Sequence, residues 1–189
     1  RILKELSDRG HEVTAIARNP QKIAVLPRVR AVQVDANDQA ALAAALRGHE
    51  AVISAVHFTA SDPRTLIGAV RDAGVQRYLV VGGAGSLEVA PGQRLVDQPD
   101  FPAAYKPEAL KGAEFLDLLR QGAGDLAWTF LSPSAEFTPG QRTGKFRLGG
   151  DQLLSGADGS RISFEDFAVA LVDELERPAH ERQRFTVGY

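Results

Sequence analysis

The sequence contains no cysteine among its 189 residues. It therefore has no disulfide, thiolate nucleophile or thiolate metal ligand, which is compatible with a reducing, cytoplasmic location. Neither sign of charge dominates, since 22 Lys and Arg residues stand against 24 Asp and Glu residues. A basic patch that draws nucleic acid or anionic lipid is thus not expected. No apolar run approaches the roughly 20 residues that a membrane span requires, and no signal peptide is visible.

The first residues have helical spacing but no helix start. Ile2, Leu3 and Leu6 share one helical face and Gly10 is a good stop, yet no capping Ser, Thr, Asp or Asn precedes Arg1. A helix this short is marginal alone. We therefore expect an upstream strand, a glycine-rich turn and the first helical turns to be missing from this sequence. The alternative is a short N-terminal helix on some other α/β fold.

Apolar runs alternate with helical patterns along the chain, which is typical of a parallel α/β sheet with helices on both faces. We expect one domain over residues 1–189. The predicted strands are Val13 to Ala17, Ala31 to Val34, Ala51 to Val56, Arg77 to Gly82, Ala127 to Leu131 and, at the end, Arg184 to Tyr189. The predicted helices are Asp38 to Leu46, Pro63 to Ala73, Ala103 to Gln121 and Ser163 to Glu176, and a small hairpin is predicted from Thr143 to Leu148 and Gln152 to Ser155.

Ligands of an open parallel sheet bind beyond the carboxyl ends of its strands, so those ends are the candidate sites. Arg18 ends the first predicted strand, where a guanidinium favours a ribose 2′-phosphate and a carboxylate would favour a free 2′-hydroxyl. We therefore expect NADPH to be preferred over NADH, unless Arg18 is only a solvated residue of the Arg-Asn-Pro turn. Asp35 either meets an adenine amino group or serves as a turn or cap residue.

A glycine-rich turn at residues 82–86 follows a buried strand. Its glycines can let the backbone approach a flat ring, and Ser86 can hydrogen-bond a substrate carbonyl. Turn geometry alone is the alternative explanation for both. The proline-punctuated loop at residues 87–102 is longer than α/β connections usually are, and such loops are functional or disordered.

Tyr105 and Lys106 stand at the start of a helix, near where a proton-donating Tyr/Lys pair would be placed. Adjacent helical positions point to different sides, and position 109 is alanine, so the Tyr-x-x-x-Lys motif is absent. The histidines are scattered without paired helical spacing, so no metal site is predicted. His57 alone follows a strand, where it either lines the pocket or caps a turn.

Several runs, taken in order, resemble an atypical short-chain dehydrogenase/reductase. They are Ala-Ile-Ala-Arg-Asn-Pro, Val-Asp-Ala, Val-Ile-Ser-Ala-Val, Tyr-Leu-Val-Val-Gly-Gly-Ala-Gly-Ser-Leu, Trp-Thr-Phe-Leu-Ser-Pro and Ile-Ser-Phe-Glu-Asp-Phe-Ala-Val-Ala-Leu. More narrowly, the chain resembles the NAD(P)H-binding proteins described as NADH-flavin reductases, which are related to NmrA-like regulators and to biliverdin-IXβ/flavin reductase. The resemblance implies a Rossmann sheet of order 3-2-1-4-5-6-7 with the nucleotide over the strand ends. Two motifs of such families are absent from this sequence: the Gly-x-x-Gly-x-x-Gly turn, which would lie before Arg1, and the Tyr-x-x-x-Lys acid.

The resemblance also implies a layout of the site and an activity. The implied activity is NADPH-dependent reduction of a small flat acceptor such as FMN or FAD by direct hydride transfer, with Ser86, Tyr105 and Lys106 as catalytic candidates. The alternatives are a non-catalytic, NmrA-like NAD(P)-sensing regulator and a nucleotide-sugar epimerase or dehydratase. The implied cofactor-binding residues are Arg18 and Asn19 at the adenosine ribose, Asp35 and Ala36 at the adenine, Ala55, Val56 and His57 along the ribose and pyrophosphate, and Gly82, Gly83, Ser132 and Pro133 near the nicotinamide.

Overall fold

The computed structural model describes residues 1–189, along which strands alternate with helices. The strands are β1 (Val13–Ala17), β2 (Val29–Gln33), β3 (Ala51–Ser54), β4 (Arg77–Val81), β5 (Glu88–Ala90), β6 (Gln93–Arg94), β7 (Ala127–Pro133), β8 (Glu136–Thr138), β9 (Arg147–Gly149), β10 (Arg161–Ser163) and β11 (Gln183–Gly188). The helices are α1 (Ile2–Asp8), α2 (Gln39–Leu46), α3 (Pro63–Asp72), α4 (Lys106–Gly122) and α5 (Phe164–Glu176). The α/β class is thereby confirmed. None of the helices has the length and apolar character needed to cross a membrane.

Short polar side chains fix where three of the helices begin. Asp38, Asp62 and Ser163 each accept a hydrogen bond from a backbone N–H in the first turn of α2, α3 and α5. Each bond satisfies a donor that the helix itself leaves unpaired. Pro63 occupies the first position of α3, where its missing N–H costs nothing. These starts are the ones predicted from the sequence.

The main sheet has five strands in the order β3-β4-β7-β11-β9. The pairings β3–β4, β4–β7 and β7–β11 are parallel, and β9 runs antiparallel to β11 at the edge. A second sheet holds β1 and β2, which pair in parallel from Val13 opposite Val29 to Ala17 opposite Gln33. The fold is therefore of the Rossmann type, with mostly parallel strands whose carboxyl ends meet along one edge.

Two hydrogen bonds show that the two sheets lie side by side and run in the same direction. Beyond the carboxyl ends, Asn37 after β2 donates to the carbonyl of Ala60 after β3 at 3.1 Å. At the amino ends, the His49 Nε2 just before β3 lies 2.9 Å from the Thr14 hydroxyl in β1. The strand ends that follow β1, β2 and β3 consequently lie on the same edge as those of the main sheet.

β1 and β3 each have only one hydrogen-bonded neighbour, β2 and β4 respectively. A gap therefore separates β1 from β3. In the strand order 3-2-1-4-5-6-7 implied by the family resemblance, this gap corresponds to position 1. Strands β1, β2 and β3 of this chain then occupy positions 2, 3 and 4. A cavity of about 1430 Å³ occupies the gap and reaches the carboxyl edge at Ala36 and Val56. Its lining is mostly apolar and includes Leu6, Ile16, Leu42, Leu46, Val52 and Val70.

The core lies on both faces of the main sheet. On one face, side chains of α2, α3 and α4 pack on Tyr78, Val80 and Phe130. On the other, α5 packs through Phe167 and Leu171 on alternate strand residues. Since successive strand side chains point to opposite faces, β4 and β7 contribute to both clusters and are apolar almost throughout.

The predicted hairpin in residues 143–155 is wrong. Leu148 pairs with Val187, so β9 joins the edge of the main sheet through β11 and not through Gln152 to Ser155. The second half of the predicted hairpin lies beside β5 instead, where the Leu153 N–H donates to the Glu88 carbonyl at 2.9 Å. Local turn residues indicated a turn correctly, but the partner strands come from distant parts of the chain. The preceding loop, residues 87–102, is ordered by β5, β6 and a 3-10 turn at Leu95–Asp97.

Candidate functional site

The adenosine end of the predicted site lies beyond β1 and β2. Arg18 and Asn19 are both exposed, and neither side chain has a hydrogen-bond partner in the protein. Asp35 is exposed as well, and one of its oxygens accepts a hydrogen bond from the Asn37 N–H at 2.9 Å, so it also shapes the turn. Ala36 packs against the core. The unpaired guanidinium of Arg18 and the second carboxylate oxygen of Asp35 are therefore open to solvent at this end of the edge.

The segment after β3 is exposed and is held in place by Glu108 of α4, a residue that the sequence analysis did not single out. Ala55, Val56 and His57 are exposed, and the His57 side chain retains 85% of its accessible surface. Glu108 in the first turn of α4 accepts hydrogen bonds from the N–H groups of Phe58 at 2.7 Å and Thr59 at 2.9 Å.

Glu108 therefore fixes the position of the turn that carries His57, whose Nδ1 lies 3.4 Å from the Glu108 carboxylate. Burial raises the pKa of Glu108, but the hydrogen bonds from Thr59 and Phe58 outweigh it, so the pKa is lowered overall. The carboxylate is thus ionised in its role as an acceptor. The only sequence signal for Glu108 was its acidic character in the first turn of a helix.

The glycines after β4 allow close packing. A Cβ at Gly82 would fall 2.3 Å from the Phe130 ring, and one at Gly85 would fall 2.7 Å from the Ala109 Cβ. Gly83 differs, since it is only partly buried and a Cβ there would make an ordinary 3.7 Å contact with Phe58. Packing alone thus explains glycine at positions 82 and 85, whereas Gly83 leaves backbone open at the edge.

Ser86 and Ser132 meet at a buried arginine that sequence reasoning missed. The Arg184 side chain in β11 is only 2% exposed. Its Nη1 donates to the Ser86 hydroxyl at 3.2 Å and to the Ser132 hydroxyl at 3.3 Å, and its Nε donates to Asp151 at 2.7 Å. Burial lowers the pKa of Arg184, while Asp151 opposes this effect. The signal available in the sequence was that Arg184 is the only charged residue of the last strand.

The two serines differ in their access to a ligand. Ser86 is partly buried, whereas Ser132 is 0% exposed and Pro133 is buried beside it in β7. Ser86 therefore keeps part of its surface exposed, while Ser132 and Pro133 lie inside the sheet.

Tyr105 and Lys106 lie at the junction of a 3-10 turn and α4. Tyr105 is 69% exposed and Lys106 is exposed. Neither side chain forms a hydrogen bond or an ion pair within the protein. The structure therefore shows no preformed Tyr/Lys acid, although both groups are open to solvent.

A doubly covered parallel sheet with unpaired polar groups beyond its carboxyl ends defines a Rossmann-type dinucleotide-binding protein. The chain belongs to the NAD(P)H-binding family, whose model matches residues 1–178.

Three solved structures are similar to the chain over nearly its whole length. A protein from Burkholderia pseudomallei, provisionally named an exported protein, is 44% identical, with 100% of this chain and 92% of that one covered at a TM-score of 0.89. A provisionally named epimerase from Bacteroides thetaiotaomicron is 40% identical, with coverages of 100% and 90% and a TM-score of 0.94. SP1627 from Streptococcus pneumoniae TIGR4, provisionally named an NADH-flavin reductase, is 38% identical, with coverages of 99% and 91% and a TM-score of 0.83.

Proposed function

We propose that the protein is an NADPH-dependent oxidoreductase that reduces a flavin or another flat conjugated acceptor by direct hydride transfer. Its membership of the NAD(P)H-binding family supports the nicotinamide cofactor. The likeness to a provisionally named NADH-flavin reductase supports the acceptor class. The observation that carries the proposal is the unpaired Arg18 guanidinium at one end of the edge, together with the partly buried Ser86 beyond β4.

The residues of the edge fit a dinucleotide with a 2′-phosphate. The free guanidinium of Arg18 is the group that such a phosphate requires, because it carries a permanent charge and several donors. Asp35 and Ala36 would hold the adenine, and Gly83 leaves room for a ring at the other end. The exposed segment between them would hold the ribose and pyrophosphate through Ala55, Val56 and His57.

The chemistry of the proposed reaction is divided between the cofactor and the chain. The reduced nicotinamide, when bound, supplies the hydride. The chain aligns two flat rings and offers the Ser86 hydroxyl to orient the acceptor, which is catalysis by positioning. A preformed proton donor is not needed for a flavin, which can take its proton from water. A cytoplasmic location is part of this proposal, because it suits a cysteine-free chain that uses NADPH.

The proposal is tested by following NADPH oxidation with FMN, FAD and a series of quinones. We expect turnover with at least one of these acceptors and a higher kcat/KM for NADPH than for NADH. Absence of turnover with every acceptor contradicts the proposal.

A non-catalytic, NmrA-like sensor of NAD(P) is the second candidate. It is favoured by the exposed and unpaired state of Tyr105 and Lys106, which leaves the edge without a built acid. Titration with NADP+ and NADPH separates the two proposals. A sensor of this kind binds at least one form and turns over no acceptor, and the Ser86→Ala change leaves its affinity unchanged.

An epimerase is a third candidate, supported by the provisional name of the Bacteroides thetaiotaomicron relative. The same unpaired Tyr105 speaks against it, because sugar oxidation requires removal of a hydroxyl proton by a positioned base. Incubation with nucleotide sugars and NAD+ tests this activity directly.

A further inference from the structure

Arg184 is a buried charge whose donors are directed at Asp151, at the turn that carries Ser86 and at Ser132 near the end of β7. Besides the bonds to Asp151 and the two serine hydroxyls, its Nη2 donates to the Ser86 carbonyl at 3.4 Å and to the Asp151 carbonyl at 3.4 Å. Asp151 is in turn bound by Arg120 of α4 at 2.9 Å. The guanidinium is thus fixed by α4, β7, β11 and the turn after β4.

The direction of these bonds decides what the Ser86 hydroxyl can do. A guanidinium only donates hydrogen bonds, so the Ser86 oxygen acts as an acceptor toward Arg184. This is the only hydrogen bond that the hydroxyl makes in the protein. Its own proton is therefore left without a protein acceptor, in a side chain that is only partly buried.

We propose that Arg184 is a positioning residue that holds the Ser86 hydroxyl as a hydrogen-bond donor toward the acceptor substrate. The inference rests on the proposed reductase function and narrows its substrate class. The acceptor must carry a carbonyl oxygen or an imine-type ring nitrogen next to the atom that is reduced, as flavins and quinones do.

The step balances without consuming a group of the protein. The acceptor takes a hydride from NADPH and one proton from water, which gives the two-electron reduced acceptor and NADP+. Ser86 shares its proton in a hydrogen bond and keeps it. A hydroxyl that already accepts a bond from a cation is a stronger donor, because hydrogen bonds in a chain polarise one another.

A purely structural role would not require this arrangement. Buried ion pairs contribute little net stability compared with well-packed apolar residues of similar size. Arg184 nevertheless donates two hydrogen bonds to Ser86, one to the hydroxyl and one to the backbone carbonyl. Both the side chain and the backbone of Ser86 are therefore fixed. Ser132 provides the internal comparison, since its hydroxyl is bound by the same Nη1 but is buried away from any ligand.

The test is a double-mutant cycle with Arg184→Met, Ser86→Ala and the two changes combined, assayed with NADPH and the best flavin or quinone. We expect each single change to lower kcat by about tenfold, which is the loss of one hydrogen bond, and to leave the KM for NADPH unchanged. The double variant should be no slower than Ser86→Ala alone, because Arg184 acts through Ser86. Ser134→Ala is the control, because Ser134 is a buried serine whose hydroxyl donates to the Val187 carbonyl at 3.0 Å and makes no bond to Arg184. It should keep kcat within about twofold.

Binding supplies a readout that does not depend on turnover. The affinity for FMN, measured by fluorescence quenching without nicotinamide, should fall by a similar factor in Arg184→Met and Ser86→Ala and should not change in Ser134→Ala. If Arg184→Met does not fold, as judged by circular dichroism, Arg184→Lys replaces it, since lysine keeps the charge but cannot serve Asp151 and both hydroxyls together. Suppose that the wild-type protein is active and that Arg184→Met lowers kcat by the same factor whether residue 86 is serine or alanine. The positioning role of Arg184 is then overturned, while the proposed function stands. A wild-type protein that neither binds FMN nor reduces any acceptor overturns the proposed function and this inference with it.

Discussion

Glu108 of α4 accepts a hydrogen bond from the Phe58 N–H at 2.7 Å, and so fixes the segment after β3 to the helix that packs over β4. The same carboxylate accepts from the N–H and the hydroxyl of Thr59 at 2.9 Å and 2.7 Å. These donors would otherwise face a partly buried site without a partner. The exposed strand end at His57 is therefore held by a group 50 residues away from Phe58 in the chain.

Glu108→Gln is expected to destabilise the protein. The amide has one acceptor oxygen, and its NH2 group would face a backbone donor, which leaves at least one donor unsatisfied. We expect a loss of about 1–2 kcal/mol in the free energy of unfolding, measured by urea denaturation. Glu114→Gln on the same helix removes an exposed ion pair with Lys111 and should cost well under about 1 kcal/mol. Equal effects of the two changes would contradict the role of Glu108.

The free energy of unfolding should depend on pH partly through Glu5 of α1. The hydrogen bond from Arg142 lowers the pKa of Glu5 most, burial opposes it, and the bond from Arg9 lowers it further, to about 2. Because the folded pKa lies below the unfolded one, the carboxylate stabilises the fold above the unfolded pKa. That stability is lost as the pH falls toward about 2.

Glu5→Gln should therefore lower the free energy of unfolding at pH 7 by on the order of 2–3 kcal/mol and by much less near pH 2. Urea denaturation at a series of pH values measures this difference. Asp8→Asn is the matched control, because it removes an exposed carboxylate of the same helix that pairs only with Lys4. A Glu5→Gln variant whose stability loss is independent of pH would refute the argument.

Cofactor preference should depend on Arg18. Arg18→Ala removes the one unpaired guanidinium at the end of β1, so the ratio of kcat/KM for NADPH to that for NADH should fall by roughly tenfold or more. Arg30→Ala is the control, since Arg30 belongs to the same small sheet but donates to Thr14 at its amino end. An unchanged ratio in Arg18→Ala would mean that this arginine does not bind a 2′-phosphate.

The ion pair between Arg77 and Glu174 should contribute to stability but not to activity. It joins β4 to α5 at 3.0 Å near the amino edge of the sheet, and the Glu174 side chain is only 4% exposed. Glu174→Gln leaves the Arg77 charge without its counterion and should cost about 3–5 kcal/mol. The double change Arg77→Met with Glu174→Gln should cost less than the sum of the two single changes, as measured by chemical denaturation.

The parts of the structure that depend on local sequence could be predicted. The starts of α2, α3 and α5 follow from Asp38, Asp62 and Ser163, because a capping side chain and the N–H it binds are only two or three residues apart. The parallel strands could be predicted from their apolar runs, because these runs mark a buried strand whichever strand lies beside it. The edge positions of Arg18, Asp35 and His57 followed from those strand ends.

Contacts between distant segments could not be predicted. The turn residues of 149–151 suggested a hairpin, yet β9 pairs with β11, because edge pairing is decided by which strand lies nearby in the folded chain. Arg184 and Ser86 are 98 residues apart, and no pattern around either residue indicates the other. The serine could be proposed from its glycine-rich turn, whereas the guanidinium that orients it could only be found in the folded structure.

The strands that border the gap, β1 and β3, should be less protected from hydrogen exchange than the central strands β4 and β7. β1 and β3 each have a single hydrogen-bonded neighbour, whereas β4 and β7 are paired on both sides. Residues of β1 and β3 are also only partly buried, in contrast to the nearly complete burial of β7. We expect amide hydrogens of β1 and β3 to exchange at least about tenfold faster on average than those of β4 and β7, because protection follows local pairing and burial.

Native-state hydrogen exchange followed by NMR measures this contrast, and β11, paired with both β7 and β9, is the internal control at the other side of the sheet. Equal average protection of β3 and β4 would contradict this prediction.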